Sequence, residues 1–194
     1  MKHKGDDLLK KTLIGLLIFI ILITSTKLPV NAQTNDTYLS EDIQVYCRLI
    51  GGEYNICPEL IMAIIEAESS GNAYALNYDG SCIGLMQVSE RWHYDRMQRL
   101  NVDNLFDEYG NILVGTDYLH ELIERYDDIV IALMYYNGDA NADEFANGDC
   151  EISYYAESIL QRSAELKALH ENENVNPKYE SNPFKLRQLR YAYC

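Results

Sequence analysis

No CxxC pair, no internal repeat and no apolar run of bilayer length occurs in the 194 residues. The first absence leaves zinc ribbons and thioredoxin-like redox motifs without support. Basic residues are also scarce, with 16 Lys and Arg against 30 Asp and Glu and a net charge of −14. The first 32 residues hold five of those lysines and only two aspartates, so the remainder is more acidic still. Nucleic acids and anionic lipid surfaces require basic patches, and both drop out as partners. What is present is a chain of 47% hydrophobic residues, enough to bury one core and too short for a comfortable second domain.

The longest apolar run, Leu13–Thr24, follows Lys2, Lys4, Lys10 and Lys11 and precedes Val30-Asn31-Ala32. A basic start, a short apolar stretch and a small-x-small tripeptide make a secretory signal peptide. The run falls short of the roughly 18–20 residues that span a bilayer. Residues 1–32 are therefore expected to be a signal peptide, or an uncleaved N-terminal membrane anchor. Either one makes the protein exported, extracellular or cell-wall associated. Residues 33–40 are polar and predict a linker. Residues 171–194 are a basic tail, and from 173 onward Lys178, Lys185, Arg187 and Arg190 are set against Glu173 and Glu180. Five cysteines, Cys47, Cys57, Cys82, Cys150 and Cys194, leave at least one thiol free or paired between chains. Their connectivity stays open.

Between those ends the periodicity predicts helices and a mainly α domain over 41–170. Ser40 with Glu41 and Asp42 opens a helix expected to end near Gly51-Gly52. Pro58 begins another that stops before Gly71-Asn72. Residues 72–82 carry turn chemistry in Asn77, Asp79, Gly80 and Ser81 and predict a loop or a small β-hairpin. Further helices are expected from Ser89 to Leu100, over 108–126, over 127–137 as a buried central element, and over 152–170.

One residue breaks the apolar pattern in an informative place. Ile61, Ile64, Ile65 and Glu68 fall at i, i+3, i+4 and i+7, so Glu68 continues the buried stripe. Glu66 lies about 200° round the wheel and is expected to be solvated. Burial and the negative end of the helix dipole both disfavour ionised Glu68. A glutamic acid that keeps its proton near neutral pH can protonate the leaving oxygen of a glycosidic bond.

Glu68-Ser69, then Gly84-Leu85-Met86-Gln87, then Asn111-Ile112 with Gly115 and Tyr118-Leu119, then Ala132-Leu133 with Tyr136-Asn137, resembles the soluble lytic transglycosylase catalytic domain. That family is the goose-type lysozyme-like branch of peptidoglycan lyases, and the resemblance covers 57–169. It implies a lysozyme-like α-domain with a groove for the glycan strands of peptidoglycan, and no cofactor or metal. It carries Glu68 over as the sole catalytic residue, acid first and base second, closing a 1,6-anhydro ring on the muramoyl sugar. Gln87 would face the groove with Met86 beside it. Tyr136 would hydrogen-bond Glu68, Asn137 would bind a sugar amide, and Tyr155 would line the groove. Asn77 stands where many members have a glycan-contacting serine, which puts substrate details in doubt. A water-using muramidase of the same fold, or a non-catalytic glycan-binding module, are the alternatives. A secretion or conjugation machine is a further candidate partner.

Rival motifs are weaker. Asp79 is the nearest second carboxylate and sits in a turn. Asp139, Asn141 and Asp143 start like a calcium loop, but Glu144 occupies the position that needs glycine. Cys82 with His93 or His120 has no local support as a thiol-protease pair.

Overall fold

Caps and prolines divide residues 37–174, which the computed structural model describes, into seven α-helices. They are α1 (Glu41–Tyr54), α2 (Pro58–Ser69), α3 (Glu90–Leu100), α4 (Glu108–Tyr126), α5 (Ile129–Tyr136), α6 (Ala142–Ala146) and α7 (Tyr154–Asn174). The mainly α expectation holds, and no strand forms among the described residues. The expected hairpin after α2 is reduced to isolated bridges, Leu76 to Ile83 and Ile83 to Val88.

Several helix ends follow directly from side-chain chemistry. Ser40, Asp107 and Asp128 accept backbone N–H groups at the starts of α1, α4 and α5, satisfying donors that have no partner inside the helix. Asn55, Asn101 and Asp127 close α1, α3 and α4 in the left-handed conformation that Asn and Asp tolerate. Ser89, the residue at which the third helix is expected to begin, stands at the cap position of α3 but makes no side-chain cap bond.

Gly51-Gly52 does not end α1, which runs on to Tyr54. A Cβ on Gly51 would lie 2.6 Å from the Ile56 carbonyl oxygen. The glycine is there for close approach to the start of α2, and it costs the helix only about 1 kcal/mol in propensity.

Helix α2 is the centre of the core. Leu60, Ile61, Met62, Ala63, Ile64 and Ile65 are all buried, so over 60–65 the expected one-sided stripe is enclosed all round, while Ala67 is exposed. It packs on α1 and α7, while α4 packs on α1, α3 and α5, and α5 reaches α7. The expectation of a wholly buried α5 is met only in part. Ala132, Leu133 and Met134 are buried, but Ile129, Val130 and Ile131 are half-exposed. Helix α6 lies in the acidic stretch read as turns, and α7 starts at Tyr154 and continues past residue 170.

The polar segment before α1 is not a free linker over its described part. Thr37 and Leu39 are buried at 6% exposure each. Cys57 is disulfide-bonded, whereas Cys47, Cys82 and Cys150 are free thiols. Residues 1–36, with the leader or anchor, and 175–194, with most of the basic tail, lie outside the described residues. Among the described residues no helix is long and apolar enough to cross a membrane.

Candidate active site

Glu68 occupies the last turn of α2, and α7 lies along that helix. The Tyr155 hydroxyl, in the first turn of α7, donates to Glu68 Oε1 at 2.6 Å. Burial raises the pKa of Glu68 above the usual carboxylate range, and the Tyr155 hydrogen bond partly opposes it. No neighbouring carboxylate contributes to that shift.

Tyr136 does not bond Glu68, as the resemblance implied. Its hydroxyl donates to the Met86 carbonyl at 2.9 Å. Tyr155 takes the predicted role because α7, not α5, runs beside the end of α2. Both tyrosines still feel the Glu68 charge, since burial and then Glu68 hold each phenol well above its ordinary value.

The Gly84–Gln87 turn is built from the inside out. Asn111, fully buried on α4, accepts the Met86 N–H at 2.8 Å and donates to the carbonyls of Ile83 at 2.8 Å and Leu105 at 2.9 Å. A Cβ on Gly84, whose φ is +76°, would lie 2.4 Å from the Asn111 amide nitrogen. Gly115 leaves room for Met86, whose sulfur would be 2.7 Å from any Cβ there. Met86 is 0% exposed and cannot touch a substrate, so its expected binding role is corrected to a packing one.

This clamp delivers Gln87 to the surface with φ +47°. Its amide nitrogen donates to the carbonyls of Gly84 at 3.0 Å and Ala75 at 3.3 Å. A cleft of about 470 Å³ opens here, lined among others by Gln87, Tyr136, the exposed Asn137, Trp92 and His93. Three of its lining rings form a ladder, His93 to Tyr118 at 4.5 Å and Tyr118 to Tyr136 at 5.4 Å. Gln87, Tyr136 and Asn137 are therefore brought together, and of these Tyr136 feels the Glu68 charge without bonding it.

Asn77 is not brought to that cleft. Its side chain accepts the Cys82 N–H at 3.0 Å and donates to Ser81 Oγ at 3.1 Å, so its polar atoms hold the loop's own turn. Asp79 does likewise, accepting the Ser81 N–H at 3.0 Å. His93 accepts from Arg96 at 3.4 Å and makes no pair with Cys82.

Two groups were misread or missed in the sequence. Glu66 is not solvated: its side chain is 7% exposed and is held by Arg162 Nε at 2.7 Å and by the Thr37 hydroxyl. Asp117 is a buried carboxylate that accepts from Arg96, from Arg99 at 2.7 Å and from Tyr54 at 2.9 Å. Burial pushes its carboxyl up, but the hydrogen bonds from Arg99, Tyr54 and Arg96 outweigh this and hold it below the usual range. An acid in the apolar run Ile112–Thr116-Asp117 was the signal available for it.

Comparison with known proteins agrees with this geometry. The family model described as the transglycosylase SLT domain matches residues 46–150, just over half the chain. Glu68, the Gly84–Gln87 turn and Tyr136-Asn137 lie inside that span, while Tyr155 and Arg162 lie beyond it. The chain is similar to a protein named "Transglycosylase" from Enterobacteria phage PRD1, with 35% identity over 109 residues, 56% of this chain and 38% of the relative. It is also similar to "Membrane-bound lytic murein transglycosylase E" of Buchnera aphidicola subsp. Acyrthosiphon pisum (strain APS), with 33% identity over 81 residues, 38% of this chain and 36% of the relative. The match thus spans less than two fifths of each of these relatives. The chain belongs to the transglycosylase SLT domain family.

Proposed function

We propose that this protein is a peptidoglycan lytic transglycosylase that cleaves the bond between N-acetylmuramic acid and N-acetylglucosamine. The observation that carries the reading is Glu68: one half-buried carboxyl, held towards its protonated form, bonded to Tyr155, and with its charge felt by Tyr136, which lines a cleft together with Gln87 and Asn137. Protonated Glu68 gives its proton to the glycosidic oxygen, and the bond to C1 of the muramoyl sugar breaks. The carboxylate left behind faces the positive charge on C1 and is stabilised by the Tyr155 hydroxyl. It then takes the proton of the C6 hydroxyl as that oxygen attacks C1 and closes a 1,6-anhydro ring. Glu68 ends protonated, ready for the next bond.

The opposing influences on Glu68 suit both halves of the cycle. Burial keeps the acid form available for the first step, and the Tyr155 bond keeps the base form from being too costly in the second. A hydrolase with two carboxylates would need a second acid about 5–10 Å away. Glu66 is committed to Arg162, and Asp79 to its own turn. The ring ladder and the amides of Gln87 and Asn137 provide apolar faces and hydrogen-bonding groups of the kind a sugar chain presents in return. Peptidoglycan places the work of the enzyme in the cell envelope.

Replacing Glu68 by Gln tests the reading. The variant should lose essentially all wall-clearing activity while its circular-dichroism melt stays cooperative. Clearing by Glu68→Gln at the wild-type rate would remove Glu68 from the reaction.

A further inference from the structure

Three polar links run along the antiparallel pair α2 and α7. Glu59 Oε1 meets His170 Nδ1 at 2.8 Å. Glu66 takes Arg162 in a two-point grip, Oε2 with Nε at 2.7 Å and Oε1 with Nη2 at 3.4 Å. Glu68 accepts the Tyr155 hydroxyl at 2.6 Å. Of these links only the last involves the proposed acid, and the middle one stands next to it.

Arg162 and Tyr155 are seven residues apart on α7, two turns along the same stripe. Glu66 and Glu68 are two residues apart on α2. A slip of α7 by one residue would move Tyr155 by about 1.5 Å along the axis, more than a 2.6 Å hydrogen bond survives. Apolar contacts between the helices resist such a slip weakly, because they have no direction. A forked guanidinium on a carboxylate has both direction and distance.

We propose that the Arg162–Glu66 ion pair positions the proposed acid, fixing the axial register of α7 so that the Tyr155 hydroxyl meets Glu68. This role rests on the reaction assigned above. Neither Glu66 nor Arg162 touches the cleft, so both act through Tyr155. The surroundings fit the role. Glu66 is further held by the Thr37 hydroxyl, and Arg162 also reaches Glu165 at 3.3 Å on its own helix. Glu68 is faced by Tyr155 from α7 and by Tyr136 from α5. Losing the register would remove the Tyr155 bond and leave burial unopposed.

The test is a double-mutant cycle read by pH profiles of kcat and kcat/KM on isolated glycan strands. Arg162→Met alone is expected to lower kcat roughly ten- to a hundredfold, the cost of a misplaced reacting group, with little change in KM. Its alkaline limb should move upward, in the same direction as that of Tyr155→Phe. Combining Arg162→Met with Tyr155→Phe should lower kcat no further than Tyr155→Phe alone, because both remove the same contact. Glu66→Gln, which keeps the shape and removes the charge, should repeat the pattern if Arg162→Met folds poorly. Multiplying losses in the double variant, or an alkaline limb that stays at its wild-type position, would overturn the role. An inactive wild type counts against the assigned reaction itself, whereas an active wild type with an unmoved profile counts against this pair alone.

Discussion

A single hydrogen bond decides how Glu68 behaves. The Tyr155 hydroxyl donates to the carboxylate, which favours the charged form and opposes the burial that favours the neutral one. In the proposed reaction the first step requires protonated Glu68, so activity falls as pH rises through its pKa in the folded protein. Tyr155→Phe removes the influence that lowers that pKa. The alkaline limb of the Tyr155→Phe profile should therefore lie at higher pH than that of the wild type. Its kcat should drop roughly ten- to a hundredfold, in keeping with the ~1.5–3 kcal/mol of a hydrogen bond to a charged group. A limb that moves to lower pH would mean that Tyr155 stabilises the neutral acid instead. At this scale the sequence was half legible. Glu68 announced itself by continuing an apolar stripe, but two tyrosines were within reach of the reasoning and the wrong one was given the bond. Tyr155 is 87 residues from Glu68, and no local period encodes which helix lies beside the end of α2. Glu66 was misread for a related reason: a helical wheel reports one helix, and α2 is covered by α1 on one side and α7 on another.

At the scale of elements, the turn that presents Gln87 is only as firm as its clamp on α4. Gly115→Ala tests this with two effects of opposite sign. Helix propensity favours alanine over glycine by about 1 kcal/mol. The added Cβ, however, would stand 2.7 Å from the Met86 sulfur and 2.9 Å from the Met86 Cβ, and overpacking a filled core costs about 1–3 kcal/mol. The clash should win: urea unfolding should show a net loss on the order of 1 kcal/mol, and activity should fall with it as the turn carrying Gln87 shifts. A more stable Gly115→Ala would show that Met86 can yield. The helices themselves were largely legible, because signals such as Ser40 at a cap and Pro58 at a first helical position act within a few residues. The end of α1 was not, since Gly51 serves a contact with Ile56 across a loop. Arg162–Glu66 was invisible for the same reason, its partners being 96 residues apart.

On the scale of the whole molecule, one enclosed helix organises the rest. Helix α2 fills the core with six successive buried residues and at its end carries an acid to the surface of that core. Helix α7 supplies the partner of that acid, α4 clamps the neighbouring turn, and α5 closes the cleft with Tyr136 and Asn137. The net charge of −14 makes unspecific adsorption to an anionic surface weak, so in the proposed reaction the cleft supplies the binding. In the proposed reaction Glu68 makes the sugar's own C6 hydroxyl, not water, the attacking group. Mass spectrometry of glycan strands digested in ¹⁸O-water tests it most directly. The account predicts muramoyl products ending in 1,6-anhydro rings with no ¹⁸O at C1; reducing ends that carry ¹⁸O would contradict it.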